Sequence, residues 1–424
     1  MSASLQRAVW RWHMFAGLIV LPVLAWMAVT GGVYLYKPEI ERWLYADWLA
    51  VEAGRAMPLA AMQARVEAET GGQVTQFARP AGQEAWRLTI AMPGGDRTAF
   101  VDPADGRVLG TTTKGGAMAT LRELHSLIIA GAVANAVTEI VAGWAIILIL
   151  TGFWMWWPRR SLKVRGPPKE RRFWRDLHGA IGAVVGAVIL FLAITGMTWT
   201  GVWGKGLQTL IAANEIGRPK SPGPNPWEAA SHGGHGAETL PWSRQAQIAP
   251  HGEGAMPHGG GDAIGPDRIA AIAQARGLIA PWTITVPRTH DAPWLVSKAA
   301  TRAADAHILY IDGADGRVLQ DARYVAFGAG AKTVEWGIAV HEGREYGEAN
   351  RLVMLAGAIG LFLLCLTAPI LWWKRRPSPS PRGNARHTRA VAVTMLAVGV
   401  IFPLTGVTML AALLGEAIAG RIRT

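Results

Sequence analysis

Apolar residues in this chain fall mostly into long unbroken runs. Five stretches, Trp12–Tyr36, Ile140–Trp157, Leu177–Thr200, Leu352–Trp373 and Val391–Leu414, are apolar over most of their length. A helix needs about 20 such residues to cross a bilayer, so the pattern predicts five membrane spans. The second is short and needs the apolar residues before Glu139 to complete it. After the first span, Pro58–Thr70 reads as an amphipathic helix, followed by strand-like runs at Val74–Phe77, Ala85–Ala91 and Thr98–Val101. After the third span the series returns, with a helix at Pro266–Arg276 and strand-like runs at Trp282–Val286, Trp294–Ser297 and His307–Ile311.

Both series close on nearly one phrase, Phe100-Val-Asp-Pro-Ala-Asp-Gly-Arg-Val-Leu109 and Tyr310-Ile-Asp-Gly-Ala-Asp-Gly-Arg-Val-Leu319. Asp-Gly between apolar runs signals a hairpin, because Gly accepts the positive φ of the turn. Asp102, Asp105, Asp312 and Asp315 therefore read as turn residues; a calcium loop needs more oxygen ligands. The expected fold is a polytopic α-helical membrane protein with five transmembrane helices, an internal parallel repeat and two small α+β domains. In order, the expected segments are an N-terminus 1–11, span 12–36, first α+β domain 37–124, and outer helix plus span 125–157. A basic loop 158–176, span 177–200, second domain 201–345 with an insertion at 217–265, and span 346–373 follow. A second basic loop 374–390, a fifth span 391–414 and a C-terminus 415–424 complete the chain.

The net charge of +12 sharpens this plan, because it is unevenly placed. The 158–176 loop carries eight Lys/Arg against two acids, and the 374–390 loop six Lys/Arg and no acid. In a soluble protein such charge suggests nucleic acid. Here the cations flank hydrophobic spans, and the positive-inside rule accounts for them without a nucleic-acid partner. The N-terminus and both basic loops are then cytoplasmic, and the two long segments and the C-terminus face the other side. Arg7 and Arg11 before the first span resemble a secretory signal, but its apolar run exceeds the usual signal core of about 7–15 residues. We expect it to be retained. The one cysteine, Cys365, excludes an intrachain disulfide, a Cys-rich zinc site, a Cys-ligated iron–sulfur cluster and Cys-x-x-Cys-His haem attachment.

Candidate chemistry rests on histidine. His13 and His178 each open a span, with Gly four residues later (Gly17, Gly182) and Thr-Gly beginning 17 residues later (Thr30-Gly31, Thr195-Gly196). His125 and His341 each lie 32 residues before the second Trp of a Trp-Trp-basic sequence, at Trp156-Trp157 and Trp372-Trp373. As continuous helix, 32 residues span about 48 Å, more than the roughly 30 Å hydrocarbon core. The second pair thus belongs at the outer surface. Histidine beside a membrane span is costly without a partner or a function. Two readings stand for each: an interfacial or packed residue, or a metal ligand. Haem iron accepts two axial imidazoles, one from each half, whereas zinc wants further ligands that neither pair has nearby in sequence. Gly17 and Gly182 suit either close helix packing or the approach of a flat macrocycle to the backbone.

The insertion at 217–265 is rich in Gly, Pro and His and holds His232, His235, His251 and His258. Its composition suits a linker, and the alternative is a loop that binds Cu, Zn or Ni weakly. His387 reads as a loop residue; His290 and His307 have no visible partner.

The Trp12-His13-Met-Phe-Ala-Gly17 and Leu177-His178-Gly-Ala-Ile-Gly182 sequences, the two Asp-x-x-Asp-Gly-Arg-Val-Leu phrases and the two Trp-Trp-basic helix ends resemble the PepSY-associated transmembrane family over nearly the whole chain. Some members look like inner-membrane reductases of iron–siderophore complexes with two b-type haems. The resemblance implies a bacterial inner membrane, periplasmic PepSY-like domains and two haem b per chain. One haem would be held by His13 and His178, the other by His125 and His341. It further implies a periplasmic ferric-siderophore complex as substrate, or another metal complex given the His-rich insertion. The sequence contains no Gly-x-Gly-x-x-Gly nicotinamide or flavin signature, so the electron donor is expected to be another protein, a reduced flavin or a quinol. Trp86, Trp282 and Trp294 read as domain core or as a docking surface. The rival functions are a membrane-anchored binding module and a metal or siderophore transporter without redox activity.

Overall fold

The structure is a computed structural model, and it describes residues 3–158, 160–219, 264–287, 292–374 and 397–422. His232, His235, His251, His258, His290 and His387 lie outside the described residues. The helices are α1 (Ala3–Tyr34), α2 (Lys37–Leu44), α3 (Ala46–Leu49), α4 (Leu59–Thr70), α5 (Gly116–His125), α6 (Ala132–Trp156) and α7 (Arg171–Gly196), then α8 (Trp203–Ala213), α9 (Pro266–Ala275), α10 (Ala329–His341), α11 (Gly347–Trp373) and α12 (Pro403–Ile422). The strands are β1 (Gln73–Arg79), β2 (Trp86–Ala91), β3 (Arg97–Val101), β4 (Val108–Thr113), β5 (Trp282–Thr285), β6 (Trp294–Lys298), β7 (His307–Ile311) and β8 (Val318–Arg323). They form two compact units, one helical (Met1–Leu35, Leu121–Leu207, Val340–Thr424) and one built on the sheet (Tyr36–Thr120, Gln208–Ala339).

Among the described residues of the helical unit, four stretches are long and apolar enough to cross a membrane: Val9–Tyr34, Ala132–Trp156, Arg171–Trp199 and Gly347–Trp373. The second begins at Ala132, not Ile140, and takes Glu139 inside it. Glu139 is 1% exposed, and its carboxylate accepts the backbone N–H of Val202 (3.0 Å) and Trp203 (3.2 Å). Those donors lie at the N-terminus of α8, on the residue before it and on its first residue, where no intrahelical acceptor exists. A buried acid is thereby held by fixed donors, which is what its burial requires.

The expected fifth span, Val391–Leu414, is not one continuous helix among the described residues. Helical backbone from residue 397 is interrupted at Phe402, and α12 starts at Pro403, whose ring cannot donate to the preceding turn. Its apolar part, Pro403–Gly415, is shorter than the four span-length helices. α12 packs on α6, where the Trp144 indole donates to Thr408 Oγ1 at 3.0 Å and Gly143 leaves room for the fully buried Thr405.

The sheet unit departs from the expectation of two separate domains. Its strands form a single antiparallel sheet in the order β4-β3-β2-β1-β5-β6-β7-β8. The two series meet where β1 pairs with β5, Gln76 opposite Thr285 through Arg79 opposite Trp282. An edge strand is a row of unpaired backbone donors and acceptors, and pairing the two equivalent edges removes both. One core then runs across the junction: Met62 and Val66 of α4, Ile269 of α9, and Phe77, Leu88, Ile284 and Val296 are at most 3% exposed and share a cluster. Asp267 of α9 caps α4 by accepting from Leu59 N–H (2.6 Å) and Ala60 N–H (3.0 Å). Trp86, Trp282 and Trp294 are only 6–7% exposed, and Trp86 meets Trp282 edge-on at 5.5 Å; they are core and no docking surface. The four aspartates act as turn residues. Asp102 and Asp312 accept from Ala104 and Ala314 N–H, and Asp105 and Asp315 from Arg107 and Arg317 N–H, at 2.8–2.9 Å. Gly106 and Gly316 take φ of 75° and 80°.

Candidate cofactor sites

Each of the four candidate histidines sits at a helix position with a threonine opposite it. His13 Nδ1 on α1 is 2.8 Å from Thr151 Oγ1 on α6, and His178 Nδ1 on α7 is 2.7 Å from Thr367 Oγ1 on α11. His125, the last residue of α5, has Nδ1 2.9 Å from Thr30 Oγ1 on α1. His341, the last residue of α10, has Nδ1 2.8 Å from Thr195 Oγ1 on α7. The breaks that put the latter two outside the spans are local. After His125 come Leu127 and Gly131 with positive φ (56° and 94°), and after His341 comes Gly343 at 73°.

The threonines also fix the histidine tautomer. Each hydroxyl donates its one proton to a carbonyl of its own helix: Thr30 to Trp26, Thr151 to Ile147 and Thr195 to Phe191 at 2.7–2.8 Å, and Thr367 to Leu364 at 3.1 Å. The oxygen is left as acceptor, so the imidazole must donate from Nδ1. This assigns the proton to Nδ1 and the free lone pair to Nε2. A partner on one ring nitrogen that orients the other toward a metal is the usual arrangement of a ligating histidine.

The glycine after three of the threonines lies against the ring edge. A Cβ at Gly31 would stand 3.1 Å from His125 Cε1, one at Gly152 3.4 Å from His13 Cε1, and one at Gly196 3.5 Å from His341 Cε1. The fourth position carries Ala368. Sequence reading singled out Thr30 and Thr195 but missed Thr151 and Thr367. Their signal was present: each lies 26 residues after the outer histidine of its half and six before the second Trp of the pair.

His13 and His178 line one cavity of about 620 Å³, within the roughly 300–1,000 Å³ of small-molecule and cofactor sites. Its middle is apolar, with Leu21, Leu148, Phe153 and Leu364 among its walls, and one end carries Arg165, Arg171 and Arg175. Gly17 and Gly182 face this space. A Cβ there would find nothing nearer than Leu148 at 3.8 Å or Leu364 at 3.9 Å, so these glycines leave room and do not seat a neighbouring helix. Burial pulls the pKa of His125 down to about 4, partly offset by a hydrogen bond to the Met27 backbone. Burial likewise pulls His341 down to about 3, and the nearby His125 lowers it further. Each outer imidazole is therefore held neutral. The Trp199 ring stands edge-on to His341 at 5.8 Å.

Among the described residues, no three His, Cys, Asp or Glu side chains converge as a bare metal site. His307, in the sheet unit, has a partner the sequence did not reveal: its Nε2 is 2.8 Å from Asp321 Oδ1 across the β7–β8 pair.

No curated protein matches the chain. The sequence pattern described as the PepSY-associated TM region matches residues 10–375. With most of its length matched and four span-length apolar helices, the chain is a multi-pass membrane protein that belongs to the PepSY-associated transmembrane family.

Proposed function

We propose that this protein is a di-haem transmembrane electron-transfer protein that reduces a ferric, siderophore-type complex during iron uptake. The observation that carries the reading is the fourfold contact of histidine Nδ1 with a helix-bound threonine, together with the one cavity that His13 and His178 both line. Haem b suits these residues. Two imidazoles would supply nitrogen donors to its iron, the largely apolar cavity lined by His13 and His178 suits a flat hydrophobic body, and Gly17 and Gly182 leave its walls open. His13 and His178 would hold the inner group, and His125 and His341 the outer one. When bound, such a group supplies one-electron transfer.

The protein's own residues do the rest. The threonines hold the imidazole planes and keep Nδ1 protonated, and the surrounding apolar side chains exclude water, the levers by which a protein sets a potential. Reduction of the external complex favours release, because hard oxygen ligands hold Fe(II) less well than Fe(III). The reading places the chain in a bacterial inner membrane with its N-terminus and basic loops in the cytoplasm and the sheet unit in the periplasm. It treats the two halves as a parallel repeat, each giving one ligand to each haem.

The test is a pair of spectra, oxidised and dithionite-reduced, with the haem-to-protein ratio, on detergent-purified wild type, His13→Ala and His341→Ala. The expected result is about two b-type haems per chain, with one lost in each variant. A colourless wild type after haem-replete expression would overturn the proposal in favour of an anchored binding module or a transporter.

A further inference from the structure

The arginines at the end of the inner cavity serve more than one volume. Ser161, Arg165, Arg171 and Arg175 line the cavity that holds His13 and His178. The same four, with Arg172, line an adjoining open hollow. Asp176 occupies two of these cations: its carboxylate accepts from Arg165 Nε at 2.8 Å and from Arg175 Nε and Nη2 at 3.0 and 2.8 Å. Arg171 and Arg172 have no carboxylate partner among the described residues. Both stand in the first turn of α7, where the helix dipole already presents positive charge and cations are disfavoured. Topology asks only that a cytoplasmic loop be basic. It does not ask that four arginines line one hollow beside a helix N-terminus, with Arg171 and Arg172 not taken up by Asp176, an arrangement that receives phosphate well. Aromatic rings lie on the cavity side of the same arginines: Trp10, 39% exposed, and Trp372, 38% exposed, line it.

We propose that this arginine hollow is a binding site for a phosphate-bearing aromatic cofactor of the flavin mononucleotide class. The phosphate sits on Arg171, Arg172 and the N-terminal amides of α7, and the ring system packs on Trp10 at the arginine end of the cavity, leaving the space between His13 and His178 to the haem. The proposal rests on the electron-transfer reading, for which it names the donor side. It selects a phosphorylated flavin over a quinol, which carries no anion for these cations to hold.

The experiment is fluorescence titration of flavin mononucleotide and of riboflavin, which lacks the phosphate, into the detergent-purified, haem-loaded protein at low and high salt. We expect the mononucleotide to bind at least tenfold more tightly than riboflavin, and the advantage to shrink with salt. Arg171→Gln/Arg172→Gln should reduce its affinity to that of riboflavin, whereas Arg171→Lys/Arg172→Lys, which keeps charge and topology, should retain part of the advantage. Equal binding of the two flavins, or binding of neither, overturns the proposal. So does a glutamine variant that loses haem while keeping its preference for the mononucleotide, since the arginines would then serve the carboxylates of the tetrapyrrole. Flavin binding is scored apart from the haem ratio, so phosphate-dependent binding to a colourless protein would sink the di-haem reading and leave the site standing.

Discussion

His178 Nδ1 and Thr367 Oγ1 lie 2.7 Å apart, on helices whose contact residues are 189 positions distant in sequence. The threonine's proton goes to the Leu364 carbonyl, so the imidazole proton points at the threonine and Nε2 points away from it.

Replacing Thr367 by Val keeps the shape and removes the acceptor. A buried donor left unsatisfied costs about 1–3 kcal/mol, and loss of such a supporting partner typically costs roughly 10–100-fold in metal affinity. Thr367→Val should lose inner haem on dilution or competition with apomyoglobin, and Thr367→Ser should restore it. Unchanged retention and an unchanged reduced spectrum in the Val variant would show that the hydroxyl does not orient the ring.

Gly17→Leu places a side chain at the wall of the inner cavity. The first carbon meets nothing nearer than 3.8 Å, so the bundle should fold and run as a monodisperse peak in detergent. The inner haem should be excluded while the outer one, held by His125 and His341, remains. A protein with its full haem complement would place the macrocycle elsewhere.

Glu139→Ala leaves the Val202 and Trp203 N–H groups without their acceptor. Each buried unsatisfied donor costs about 1–3 kcal/mol, so the variant should melt several degrees lower in detergent. Glu139→Gln retains one acceptor oxygen and should lie between. Equal melting of all three proteins would exclude a capping role.

Asp267→Ala removes the cap from the first turn of α4. The expected loss is about 1 kcal/mol, read as earlier unfolding and faster amide exchange at Leu59 and Ala60. Asp267→Asn, which can still accept, should lose less. Protection unchanged at those two amides in the alanine variant would argue that water replaces the carboxylate.

The sequence alone determined the apolar runs, the Asp-Gly turns and the doubled histidine spacing, because each depends on residues close in the chain or on a count along it. Length and hydropathy suffice for a span, and an Asp side chain closes its own turn two residues on. The tertiary structure decided what depends on distant partners. Only folding brings Thr151 and Thr367 to the histidines, although their spacing was legible beforehand. Only strand pairing joins β1 to β5, since nothing within Gln73–Arg79 specifies which edge it will meet. Glu139 looked like an intrusion that shortened the second span. Its meaning lies 63 residues away, in two backbone donors that have no acceptor within their own helix.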